Sequence, residues 1–421
     1  MDTILIIGSR TQAITKAQEM GLRVVLLQHK ARLMPGQAEA ADATILVDYL
    51  DTEATLPLVR AAHAVYGFTK VVSLAEQAME LVGRINDDLG LAGTPWEVAH
   101  RFHDKALMRS RLRETGFEDV AARIVEGPDE LRAFGARHGY PVVLKPADSA
   151  GSRGVFRVDG PDAVESVWKA AVGLRDRDDL PMAAFYPVGR LIAEEYLDGP
   201  EYSVETFSFA GRHVVVAITE KLTDRGVEIG HGQPALLAPA DEDALVRHTE
   251  GFLDAMGLRD GVGHHEIKFT PRGPRVIEGH DRVAGDRIMD LVDTVYGIDL
   301  ERYAVGWPLR RVPELTGRPT ARTAAATRFL TAQPGIVERI EGVEEVRAYP
   351  GVFDVDVALR VGDEMPEVAD NFDRPGQVLA TAADTPTAFE LCAMLARKIS
   401  IVTRPRETAG PDGTGTEAGP R

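Results

Sequence analysis

The first hundred or so residues alternate the signals of buried strands and of helices, and that rhythm restricts the fold more than any other feature of the chain. Ile4-Leu5-Ile6-Ile7 is an apolar run that stops at Gly8. Thr11 to Met20 reads as a helix ending at Gly21, and Val24-Val25-Leu26-Leu27, Thr44 to Val47 and Val71-Val72 read as the next strands. Strands joined through helices lie parallel in one sheet, so an α/β unit is expected here. The first turn, Gly8-Ser9-Arg10-Thr11, lacks the second and third glycines of a dinucleotide fingerprint. A structural role is therefore expected for it rather than NAD binding.

At 421 residues with 44% hydrophobic composition, the chain is too long for one ordinary core, and two to four packed units are expected. The net charge of −17 gives it no electrostatic reason to embrace DNA or RNA. A single cysteine, Cys392, excludes an internal disulfide and a cysteine-based zinc site. No apolar run approaches the roughly 20 residues of a membrane span, and the N-terminus lacks a secretory pattern. The expectation is a soluble cytoplasmic protein without a membrane or nucleic-acid partner.

Beyond the first unit the pattern becomes α+β. Helices are expected over Thr94 to His103, Ala106 to Thr115 and Pro128 to His138. Strands are expected at Ala122 to Val125, Pro141 to Leu144, Val155 to Val158, Leu191 to Ala193, Ser203 to Phe209 and Val214 to Ile218. A further mixed segment runs from about Arg322 to Thr403. Arg404 to Arg421 has almost nothing apolar, cannot repay its ordering entropy, and is expected to be disordered.

The most informative stretch is His264-His265-Glu266-Ile267-Lys268-Phe269, a Pro-Gly turn, and Arg275-Val276-Ile277-Glu278-Gly279-His280. It reads as a hairpin. Strict alternation puts His264, Glu266 and Lys268 on one face of the first strand, and Val276, Glu278 and His280 on one face of the second. Two neighbouring carboxylates fit a solvated surface, and they also fit a hard cation that completes its shell with water and phosphate oxygens. Upstream, Lys145 ends a strand before the loop Asp148 to Gly154, where glycines would let backbone N–H groups approach phosphates. The loop lacks the Walker A pattern, so it is not a P-loop. In Glu194-Glu195-Tyr196-Leu197, followed by Glu201, an apolar strand ends in acids. Backbone groups there could meet an adenine edge, and a carboxylate could accept from ribose hydroxyls.

Taken in order, these segments resemble the ATP-grasp superfamily, in its carboxylate–amine (L-amino-acid) ligase branch. The matching stretches are Asp104-Lys105, Pro141 to Pro146 with the loop to Gly154, Glu194 to Glu205, His264 to Phe269, and Val276 to Asp286. The resemblance implies an α/β and α+β multidomain chain. An N-terminal Rossmann-like (pre-ATP-grasp) domain would span 1–95. A small subdomain would span 96–190, a metal-bearing large subdomain 191–320, a C-terminal closing domain 321–403, and a tail 404–421.

It further implies an ATP-dependent ligase that joins a carboxylate to an amine through an acyl phosphate, with an amino-acid substrate. Lys105 and Lys145 would bind ATP phosphates, and the loop with Ser149, Gly151, Ser152 and Gly154 would close over them. Glu194, Glu195 and Leu197 would hold adenine, and Glu201 the ribose. Glu266, Glu278 and His280 would hold Mg²⁺, with Mn²⁺ as an alternative. Arg282 and Lys145 would be catalytic, and His231, His264 and Arg282 would face the substrate. The partners implied are small-molecule carboxylates and amines, with a homodimer as a family-level expectation. The family motif usually reads Glu-x-Asn-x-Arg, whereas this chain has Glu278-Gly279-His280-Asp281-Arg282. Two other readings stay open: a different ATP-grasp reaction, such as bicarbonate-activating carboxylation or a purine-biosynthesis-type ligation, and a non-catalytic nucleotide-binding module.

Overall fold

The computed structural model describes residues 1–175, 185–224 and 226–405. The opening rhythm builds a parallel sheet from β1 (Thr3–Ile7), β2 (Arg23–Gln28), β3 (Ala43–Leu46) and β4 (Lys70–Ser73), in the order β3-β2-β1-β4. All five residues of β1 are buried. Helices cover both faces of such a sheet, which is why its central strand is an unbroken apolar run.

A second sheet contains β5 (Ala122–Val125), β6 (Val142–Pro146), β7 (Phe156–Val158) and β8 (Leu191–Glu195), ordered β5-β8-β6-β7 with antiparallel pairing. Helices Pro128–His138 and Val164–Gly173 close its core around Leu131, Phe134, Val142, Leu144 and Ala193. Leu191 to Glu195 was expected to open the metal-bearing unit. It lies instead in the sheet that carries Lys145, because Leu191 and Ala193 bury against Leu144 in that core.

The largest sheet uses β9 (Glu201–Phe209), β10 (Arg212–Asp224), β11 (Val227–Gln233), β12 (Gly261–Thr270) and β13 (Gly273–His280). Downstream come β14 (Ala324–Phe329), β15 (Gly335–Glu341), β16 (Val352–Val357), β17 (Glu364–Met365), β18 (Gly376–Ala382) and β19 (Ser400–Arg404). The large sheet runs β13-β12-β9-β10-β11-β14-β18-β16, and β17-β15-β19 forms a small one. The segment from 321 is thus not a sheet apart: β14 pairs with β11, Gly230 opposite Arg328. Arg404 ends β19, one residue into the expected tail; residues 406–421 lie outside the described residues.

Helix Pro239–Met256 covers one face of the large sheet through Leu245, Phe252, Leu253 and Met256, against Val204, Ile218, Ile267 and Val276. Helix Ile288–Tyr296 covers the other face. Among the described residues, no helix is long and apolar enough to cross a membrane.

The hairpin β12–β13 departs from strict alternation. His264 pairs with His280 and Glu266 with Glu278, but Ile267 pairs with Val276, so Ile277 is an extra residue. This bulge turns the fully buried Val276 into the apolar core beside Ile267 and leaves Ile277 facing the cleft. Val276 therefore does not share a face with Glu278, as alternation alone implied. Burying Val276 in the core and keeping Glu278 in the cleft requires the inserted residue.

Candidate active site

The sheet β5-β8-β6-β7 and the bulged hairpin enclose a cavity of about 570 Å³. A second cavity of about 340 Å³ continues toward the N-terminal sheet. Ser152, Glu228, Glu266 and Glu278 line both, so the two chambers meet at the hairpin carboxylates. Lys105, Lys145, Ser149, Glu194, Glu195, Leu197 and Glu201 lie on the first chamber. Gly151, His264, His280 and Arg282 lie on the second. Two residues fall outside both linings. Gly154 has φ +71° and packs near Pro146 and Leu174, so it shapes the loop from behind. His231 is fully buried one layer back, with Nε2 3.1 Å from Glu228 and 3.6 Å from Asp286.

Each cation is held by a local cause. Asp104 caps helix Lys105–Glu114 by accepting from Ala106 and Leu107 N–H groups, which fixes where Lys105 leaves the backbone. Lys105 Nζ then donates to Ser149 O at 2.6 Å and lies 2.8 Å from Glu278 Oε2. Burial pulls its pKa down, but Glu278 and its neighbouring acids hold it above the ordinary lysine value. Lys145 Nζ lies 2.8 Å from Glu194 Oε2, and burial leaves its pKa below the ordinary value. Glu194 also accepts from Arg109 Nε at 2.9 Å and from its second nitrogen at 3.1 Å. Burial would raise the Glu194 pKa; Arg109 and Lys145 overcome it and bring it to about 2.

Several residues of this site carry little signal in the sequence. Arg109 sits one helical turn after Lys105, on the same face, and its guanidinium donates to the Val276 and Ile277 carbonyls. It thereby supplies partners to the carbonyls at the bulge. Lys221 comes from β10, with Nζ 2.6 Å from Glu266, 2.7 Å from Glu228 and 2.9 Å from Glu201. Glu76 follows β4 on the N-terminal sheet and contacts Arg282 at 2.5 Å and His280 Nδ1 at 2.9 Å. Its place at the carboxyl end of a parallel strand is where α/β sheets gather polar groups, and that is the signal that could have found it.

The hairpin carboxylates are directly opposed in register, yet both titrate below the usual range. Burial and their mutual repulsion act against this; Lys221 beside Glu266 and Lys105 beside Glu278 outweigh them. His280 Nε2 lies 3.3 Å from Glu278, and its ring stacks on His264 with centroids 5.8 Å apart. His264 is held by Glu205 at 3.0 Å; burial lowers its pKa but Glu205 raises it to about 9, so it carries a proton at neutral pH. The donor set is hard oxygen with one imidazole, which suits a divalent cation that shares its shell with phosphate oxygens. Among the described residues, two clusters have metal-like spacing, Glu228–His231–Asp286 and Glu201–Glu228–Glu266. The first is already neutralised by Arg374 on Asp286 and Lys221 on Glu228, and the second is centred on the Lys221 ammonium.

Family models match three stretches: an ATP-grasp domain over residues 138–290, an ATP-grasp N-terminal domain over 14–93, and an L-amino acid ligase C-terminal domain over 328–404. The chain belongs to the ATP-grasp superfamily. The C-terminal match sets it in the L-amino-acid ligase branch. Among relatives of this ATP-grasp chain is the uncharacterized protein y4rH of Sinorhizobium fredii, 28% identical over 76% of this chain and 65% of that one. Dapdiamide A synthase of Enterobacter agglomerans is 26% identical over 75% of each chain. The chain thus spans about two thirds to three quarters of the length of these relatives. The crystal structure of L-amino acid ligase from Bacillus licheniformis superposes with a TM-score of 0.84 at 24% identity, covering 96% of this chain and 99% of that one, and shows the same fold.

Proposed function

We propose that this chain is an ATP-dependent ligase that joins an amino acid through its carboxylate to an amine, by way of an acyl phosphate. The observation that carries this reading is the pair of chambers meeting at Glu266 and Glu278. One has the lysines and loop suited to a triphosphate, and the other has the acids, histidines and arginines suited to an amino acid. The likeness to dapdiamide A synthase and the C-terminal domain match support it. ATP and a divalent cation are the cofactors of the superfamily, and the mostly oxygen donor set favours Mg²⁺ over Mn²⁺ here.

Lys105 and Lys145 hold the ATP phosphates, and the loop Ser149 to Gly154 covers them. Glu194, with the backbone at Glu195 and Leu197, faces adenine, and Glu201 faces ribose. Glu266, Glu278 and His280 hold the cation, which when bound offsets the charge of the terminal phosphates. The acid's carboxylate oxygen attacks the γ-phosphorus and ADP leaves, while Arg282 steadies the charge on the transferred phosphoryl group. His264 and, one layer back, His231 shape the substrate chamber. The amine nitrogen then bonds to the acyl carbon and phosphate leaves.

The test is an ADP-release screen over pairs of amino acids, with bicarbonate as a parallel acid, followed by mass spectrometry of the product. Amino-acid-dependent ADP with a new amide is expected, and Glu278→Ala should lower ADP release at least about a hundredfold. ADP release with bicarbonate alone would move the chain to carboxylation. Full activity in Glu278→Ala would remove the site assignment.

A further inference from the structure

Between β17 and β18, residues Asp370 to Arg374 form a strap against the cleft. Asp370 caps the short turn Asn371–Asp373: its side chain accepts from Phe372 N at 2.9 Å, and Asp373 accepts from Asp370 N at 3.2 Å. This reciprocal capping stiffens a piece too short to be stable alone. Three residues then fasten it to three parts of the site. Asn371 N donates to Gly151 O at 3.2 Å, and Asn371 Oδ1 accepts from Glu228 N at 3.2 Å. Phe372 covers Gly151 so closely that a Cβ there would lie 2.6 Å from its ring, and it packs on Tyr186 with centroids 4.8 Å apart. Arg374 donates to Asn371 O at 2.7 Å and to Asp286 at 2.5 Å, and lies 3.7 Å over the Phe329 ring.

The strap therefore ties the glycine loop between β6 and β7 to the start of β11 and to the turn after β13. All of these segments wall the smaller chamber.

We propose that Asn371 and Phe372 are positioning residues that hold the Ala150–Ser152 loop shut over the acyl phosphate, so that the amine rather than water receives the acyl group. This rests on the ligase reading. Two nucleophiles compete for the acyl carbon. In the productive step the amine nitrogen bonds to it, the bond from carbon to the phosphate oxygen breaks, phosphate leaves with that electron pair, and the amine's proton passes to phosphate or solvent. In the leak a water oxygen forms the new bond, the free acid returns, and the net reaction is hydrolysis of ATP to ADP and phosphate. The strap acts by excluding that water. Phe372 is 39% exposed, so trimming it opens the loop without leaving a hole in a core.

The experiment measures ADP and amide in the same reaction for the full chain, Phe372→Ala, Phe372→Leu and Asn371→Ala. The unmodified chain should make one ADP per amide. Phe372→Ala should raise that ratio at least about threefold while its ADP release stays within about threefold of the parent, and Phe372→Leu should restore most of the coupling. Asn371→Ala should raise the ratio as well, and it carries the test should Phe372→Ala fail to fold. A purely structural role would lower both products together; one ADP per amide in the folded variants overturns the proposal alone. An unmodified chain that releases no ADP with any amino acid overturns the ligase reading, and the proposal with it.

Discussion

At the scale of single residues, charge pairing decides what each group does. His280 stands where the superfamily motif usually carries an amide, and it reaches Glu278 with Nε2 and Glu76 with Nδ1. An imidazole nitrogen is a softer ligand than an amide oxygen. If His280 touches the cation, His280→Asn should raise activity with Mg²⁺ relative to Mn²⁺ severalfold, and an unchanged ratio would show that it does not. Glu194 makes a pH prediction whose sign follows from its pairing. Its folded pKa, about 2, lies below the ordinary 4.5, so the stability it contributes is present above about 4.5 and is lost as pH falls toward 2. That contribution is on the order of 3 kcal/mol. In urea titrations, the gap between the parent and Glu194→Gln should be constant above about pH 5 and narrow below it. A gap independent of pH would mean that folding does not shift the Glu194 pKa, and that its pairing adds no net stability.

At the scale of elements, the hairpin is held by what lies behind it. A Cβ at Gly279 would lie 2.5 Å from the Phe252 ring and 3.1 Å from His265 Nδ1. Gly279→Ala should therefore push β13 off helix Pro239–Met256 and cost about 1–3 kcal/mol. Phe252→Leu should recover part of that loss in the double variant, whereas simple additivity would show that the two sites do not touch. The same region shows what could be read from the chain and what could not. The two carboxylates on one face were legible, because a Pro-Gly turn and alternating residues mark a hairpin; their direct opposition comes from the register. The bulge was not, because strict alternation presumes a regular ladder, and the extra residue at Ile277 is fixed by the burial of Val276. β11 was missed because Val227 to Gln233 is mostly polar and glycine-bearing, though much of it is buried. The helix from Pro239 had a usable signal in Leu245, Phe252, Leu253 and Met256, which bury on one side.

At the scale of the whole molecule, the site is completed by parts far apart in sequence, which is why Glu76, Arg109 and Lys221 carry little local mark. Glu76 is the clearest case. It lies on the N-terminal sheet and yet contacts Arg282 and His280 at the end of β13. Burial would raise its pKa, but Arg282 and His280 hold it well below the usual carboxylate range, so it is a largely buried anion between units. Removing one member of a buried pair costs about 3–5 kcal/mol, because the other charge is left without its partner. Glu76→Gln should therefore lower the melting temperature and loosen Arg282. Glu76 lines the smaller chamber and not the larger one. The variant should thus lose amide formation at least about tenfold while its KM for ATP stays close to that of the parent. Because the larger chamber is intact, ATP with Mg²⁺ should still raise its melting temperature by as much as it raises the parent's. A matching loss of ATP affinity would mean that the two chambers do not act separately, and that the N-terminal sheet helps to hold the nucleotide as well as the substrate.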